Sequence, residues 1–137
     1  MGLLRDVDFF QTRRNARKCL AQYRRLQRIT GKSKIDIKSP IITDMPKSPS
    51  QGNKAEDALI QHMDAEAEQS AIVSGLMSLG LTNRTVLYYT FCDRDQWTED
   101  EIGRDIGYSR RQVNRIKKES LVEFAESYRH GKLIAFR

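Results

Sequence analysis

Two helix-start signals follow each other closely in the last third of the chain, and they constrain its fold more than any other feature. Thr98 with Glu101 forms the reciprocal capping pattern T-x-x-E, and Ser109 with Gln112 forms S-x-x-Q. Between them Ile102 and Ile106 share one face of a helix, and Gly107 then admits the left-handed conformation that ends it. The spacing predicts a short helix over Glu99 to Ile106, a turn through Tyr108, and a helix starting at Ser109 that buries Val113, Ile116, Leu121, Phe124 and Tyr128. An earlier helix, capped by Thr82 or Asn83, carries Val86, Leu87, Tyr89 and Phe91 and runs out near Asp93-Arg94-Asp95. Two capped helices joined by a glycine-containing turn have the pattern of a helix-turn-helix, here over residues 98–128.

In that motif the leading residues of the second helix enter the major groove of duplex DNA. Arg110, Arg111, Asn114 and Arg115 hold this end. Arginine grips guanine O6 and N7 bidentately and asparagine pairs with adenine N6 and N7, so the four are the candidate base readers. Lys117 and Lys118, further along, suit phosphates. Gln112 is divided between capping and base contact. Trp97 and Tyr108 read as core or turn-packing aromatics. A helix with one charged face is often only a solvated surface, and it is the combination of caps, turn and placement that favours DNA.

The charge balance is uneven. The chain of 137 residues carries a net charge of +6, made of +8 over residues 1–34, −4 over 35–97 and +2 over 98–137. In the first segment Phe9, Ala16, Leu20, Tyr23 and Leu26 recur at helical intervals, with arginines on the remaining surface, so an amphipathic helix is expected up to Thr30-Gly31. Residues 1–34 therefore read either as a packed helix or as a basic arm along nucleic acid. Pro40, Pro46 and Pro49 with their serines mark residues 35–53 as an extended connector. A central helix follows from Lys54, with Asn53 as its cap and Glu56 as the partner, and with Leu59, Met63, Ala67, Ala71, Ile72 and Leu76 along one stripe. Its acidic residues read as a solvated face. Residues 54–137 are expected to form the folded helical domain.

Hydrophobic residues make up 39% of the chain, enough for a modest core but not for a large enzyme scaffold. We find no paired carboxylates at metal-compatible spacing, no Ser/His/Asp set and no phosphate-cradling glycine loop, so no catalytic residue, metal or cofactor is expected. Cys19 and Cys92 read as buried free thiols, and His62 and His130 stand alone. No run of residues is apolar enough to span a membrane, and a cytoplasmic location is expected.

The stretch LGLTNRTVLYYTFCDRDQWTEDEIGRDIGYSRRQVNRIKKESLVEF resembles region 4 of bacterial sigma factors. The chain as a whole is similar to the ArpU/RinA-like phage late-gene transcriptional regulators, through the GYSRRQVNRIKKESLVEFAESY block and through AQYRRLQRITGKSKIDIKSPIITDMPKSPSQGNKAEDALIQHMDAE. That resemblance implies an activator of phage or prophage late genes in a bacterial host cell. It also implies that Arg110, Arg111, Asn114 and Arg115 face bases and that Thr98 and Arg104 touch phosphate. Sigma region 4 commonly presents an acidic residue where this chain has Arg110-Arg111, so the sigma promoter preference does not carry over.

The expected molecule is all-α: a helical N-terminal arm, a Pro-rich connector, a central helix and a C-terminal helix-turn-helix. Its expected partner is double-stranded DNA. A homodimer through the N-terminal helix or the Leu59 to Leu76 stripe is a further expectation. The competing reading is a sigma-like adaptor that binds host RNA polymerase through residues 1–34 with little DNA specificity of its own.

Overall fold

A computed structural model describes residues 5–31 and 53–137, with side chains in the second range from residue 55. The Pro-rich connector up to residue 52 lies outside the described residues, and α3 begins at Asn53, whose expected capping side chain is likewise outside them. The chain is mostly helical, with no strand among the described residues beyond an isolated bridge between Val7 and Phe136. The helices are α1 (Phe9–Leu20), α2 (Tyr23–Thr30), α3 (Asn53–Met77), α4 (Leu81–Leu87), α5 (Glu99–Ile106) and α6 (Arg110–Ser127). A π-helical turn, Tyr88–Cys92, extends α4, and a 3-10 turn, Tyr128–His130, follows α6. Among the described residues no helix is long and apolar enough to cross a membrane.

The single N-terminal helix expected from the stripe is two. Asp8 caps α1 by accepting from the Gln11 amide, and α1 closes where the Gln22 amide bonds the Cys19 carbonyl at 3.2 Å, a tightened turn before α2. The buried stripe nevertheless runs on through Thr12, Ala16, Leu20, Tyr23, Leu26 and Thr30, while Phe9 is 50% exposed. Gly31 then ends α2 in the left-handed region.

These helices are no free arm. Ala16, Leu20, Tyr23 and Leu26 share one core with Ile72, Val73 and Leu76 of α3 and with Leu121, Phe124 and Ala125 of α6. Tyr23, Thr30 and Gln69 form a buried polar set, in which the Thr30 hydroxyl donates to Gln69 Oε1 at 2.9 Å and the Gln69 amide donates to the Tyr23 hydroxyl. Only the second half of the α3 stripe is buried. Ile60 and Met63, at 58% and 59% exposure, lie beyond the core.

After α6, Arg129 and His130 take positive φ values of 45° and 60°, and with Gly131 they reverse the chain. The tail returns to α1, where the Asp8 amide bonds the Ala135 carbonyl and the Arg137 amide bonds the Asp6 carbonyl. Arg129 donates to the Tyr128 hydroxyl and to Glu68, whose other carboxylate oxygen accepts from Tyr128.

A second, smaller core of Val86, Ile102, Val113 and Ile116 unites α4, α5 and the first half of α6, with Tyr89, Trp97 and Ile106 at its edge. Helix α6 thus belongs to both cores: its leading half packs on α4 and α5, its trailing half on α1 and α3. An α-helix of 18 residues is about 27 Å long and stiff, so it sets the position of one core against the other.

Candidate nucleic-acid interface

The start of α6 is built as the sequence predicts. Ser109 Oγ accepts from the Gln112 amide at 3.2 Å, and Gln112 Oε1 accepts from the Ser109 amide at 2.9 Å. The Gln112 side-chain oxygen is therefore used by the cap, while its NH2 group remains a donor. The same reciprocal pair forms at α5, where Thr98 Oγ1 accepts from the Glu101 amide and Glu101 accepts from the Thr98 amide at 3.0 Å. That hydrogen bond from Thr98 holds the Glu101 carboxyl below its ordinary pKa. The helix expected from Thr82 or Asn83 instead begins at Leu81 with Gly80 as its cap. Asn83 lies inside the helix, and its amide reaches across to Glu123 of α6 at 2.6 Å.

Helix α5 ends at Gly107 with φ 82°, and the amides of Gly107 and Tyr108 both bond the Gly103 carbonyl, at 2.8 and 2.9 Å. Gly103 is the close-approach point of the turn. A side-chain carbon there would sit 2.4 Å from the Tyr108 carbonyl oxygen. Tyr108 serves the turn through its backbone, and the residue is 40% exposed. Trp97, as expected, packs: its ring stacks on Tyr89 with centroids 4.0 Å apart, and its indole nitrogen donates to Asp93 at 2.6 Å.

On α6 the buried positions Val113, Ile116 and Ser120 take one side. Arg110, Arg111, Asn114, Arg115 and Lys118 take the other, where they line an open basin of about 660 Å³. All five are exposed, and among the described residues none of the four cations enters an ion pair. The expected base-reading set is thus brought together, with Lys118 as its trailing member.

Lys117 is the exception among the expected contacts. It turns toward α5, with Nζ 3.8 Å from Glu99 Oε2 and a side chain only 21% exposed. That Glu99 oxygen is buried and has no hydrogen-bond partner, so the nearby ammonium is what compensates its charge. Sequence spacing gave no sign of this, because Glu99 and Lys117 belong to different helices. Thr98 and Arg104 are both exposed on α5, and Thr98 keeps its hydroxyl proton for a further acceptor because the capping bond uses only its oxygen.

No protein-family model matches the chain, and no solved structure matches it. Two known proteins do, both carrying the name "Putative autolysin regulatory protein ArpU". One, from Enterococcus hirae, is 58% identical over 137 residues that cover all of both chains. The other, from Streptococcus phage O1205, is 29% identical over 140 residues, covering 98% of this chain and 99% of that protein. Full-length similarity at this level places the sequence with its relatives from end to end, and the chain belongs to the ArpU family.

Proposed function

We propose that the protein is a sequence-specific DNA-binding transcriptional regulator, with α5 and α6 as a sigma region-4-like helix-turn-helix and α6 in the major groove. The observation that carries this reading is the exposed, unpaired set Arg110, Arg111, Asn114, Arg115 and Lys118 on the leading half of a doubly supported helix. A purely solvated face has no need to gather four uncompensated cations where they repel one another. A polyanion does need them. In this reading Arg110, Arg111, Asn114 and Arg115 read base edges, and Thr98, Arg104 and Lys118 contact phosphate. Lys117, directed at Glu99, supports the angle between α5 and α6 instead.

The names of the two relatives, one of them phage-encoded, support a regulatory protein whose targets include autolysin genes; action on phage or prophage late genes in the cytoplasm of a bacterial cell is part of the proposal. A single such motif reads few base pairs, so binding as a pair on repeated half-sites is part of the proposal. The exposed Ile60 and Met63 on α3 are the surface for it. The adaptor reading, in which residues 1–34 alone hold RNA polymerase, loses support because the apolar stripe of that segment is spent on the core. Selection from a random duplex pool tests the proposal: an enriched motif is expected, and a pool left without enrichment overturns it.

A further inference from the structure

A second basic surface lies away from α6. Arg24, Gln27 and Arg28 of α2 meet Tyr88, Asp93 and Arg94 around a groove of about 520 Å³. Two segments remote in sequence converge there, and the reason is Arg24. Its Nε donates to the Asp93 carbonyl at 2.8 Å and its terminal nitrogen to the Thr90 carbonyl at 3.4 Å, which fastens α2 to the end of the π turn. One helical turn further on, Arg28 is thereby held beside Arg94 on the rim of the same groove.

The one acidic lining residue, Asp93, forms no ion pair with them among the described residues, and its carboxylate is oriented by neutral donors. Asp93 Oδ2 accepts from Trp97 and Oδ1 accepts from Tyr88 at 3.3 Å. Arg28 and Arg94 are exposed, and neither enters an ion pair among the described residues. The groove therefore sets three guanidinium groups against one carboxylate, a net positive site in which Arg28 and Arg94 stay exposed and suited to phosphate oxygens.

Its position points to the phosphates of a duplex. Arg94 stands four residues before Thr98, the cap of α5, so the two Cα atoms are at most about 15 Å apart. Along one DNA strand a phosphate recurs every ~3.4 Å of axial rise, and one strand can therefore pass both the α5 cap and this groove. We propose that the α2–π-turn groove is a second DNA-backbone site, in which Arg28 and Arg94 each neutralise one phosphate beyond the reach of α5 and α6. The site rests on the DNA-binding reading given above, and it assigns to the N-terminal segment a role in affinity without base readout.

The test measures binding of a labelled random-sequence duplex against salt concentration by fluorescence anisotropy. It uses the full chain, the double variant Arg28→Gln/Arg94→Gln, and a charge-matched control, Arg14→Gln/Lys132→Gln, altered at exposed positions on α1 and the tail. The groove variant should lower the slope of log affinity against log salt by about 2, at roughly 0.9 per phosphate, and the control should keep the slope of the parent. A groove variant with the parental slope overturns the site while leaving DNA binding intact. An equal fall in both variants overturns it too, because only net charge would then matter. A parent that binds no duplex overturns the DNA-binding reading itself, and the site with it.

Discussion

Gly103 and the Tyr108 carbonyl approach so closely that a side-chain carbon on Gly103 would stand 2.4 Å from that oxygen. The contact fixes how α6 leaves α5. Backbone cannot yield as the end of a flexible side chain can, so Gly103→Ala has to open the turn. Overpacking of this kind costs about 1–3 kcal/mol. Gly107→Ala meets no atom within 4 Å and bears only the left-handed φ of 82°, about 1 kcal/mol. Thermal melts should therefore rank Gly103→Ala as the more damaging of the two, and equal losses would deny the turn its role.

The pair of lysines on α6 separates packing from binding. Lys117→Ala leaves the buried Glu99 oxygen without its ammonium and should cost about 1 kcal/mol of stability. Lys118 lies exposed in the basic basin, so Lys118→Ala should leave the melting temperature in place and weaken duplex binding evenly across sequences. The same melts and anisotropy titrations check both. A Lys117 variant of unchanged stability would show the interhelical pair to be idle.

Alkali should unfold the protein earlier than its surface charge suggests. Burial pushes the Cys19 thiol from its ordinary 9.0 up to about 11, raises Cys92 further, and takes Tyr88 from 10.0 to about 12. These groups stay protonated in the folded chain where the unfolded chain loses its protons. Their contribution is fully present below the unfolded thiol value of 9.0 and is lost progressively as the pH rises from there through the folded values, about 11 for Cys19 and about 12 for Tyr88. Urea midpoints should be level from pH 7 to 8 and fall clearly by pH 10. A midpoint unchanged at pH 10 would mean that the thiols are open to solvent.

What sequence could reveal divides by range. The caps at Thr98 and Ser109, the glycine stop at Gly107 and the face of Arg110, Arg111, Asn114 and Arg115 depend on residues within one or two turns of each other, and such patterns are visible along a chain. The break between α1 and α2 left no mark, because Ala21 and Gln22 both keep right-handed helical angles and carry no breaker chemistry. The start of α4 at Leu81, ahead of both expected caps, has a related cause. Thr82 and Asn83 are good caps in isolation, but Asn83 is taken up by Glu123, forty residues away. The burial of the N-terminal helices, the Lys117 to Glu99 pair and the Arg24 clasp on the π turn are likewise long-range, and only the folded chain brings them together.

Docking of α6 in the major groove is read out base by base by methylation interference on a duplex recovered by selection. Guanine N7 is exposed in the major groove and adenine N3 in the minor. Methyl groups on guanine N7 within the site should block binding, and Arg111→Ala should abolish that sensitivity at one guanine while costing about 1–3 kcal/mol of discrimination there. Interference confined to adenine N3, or absent from every base of the site, would contradict the account.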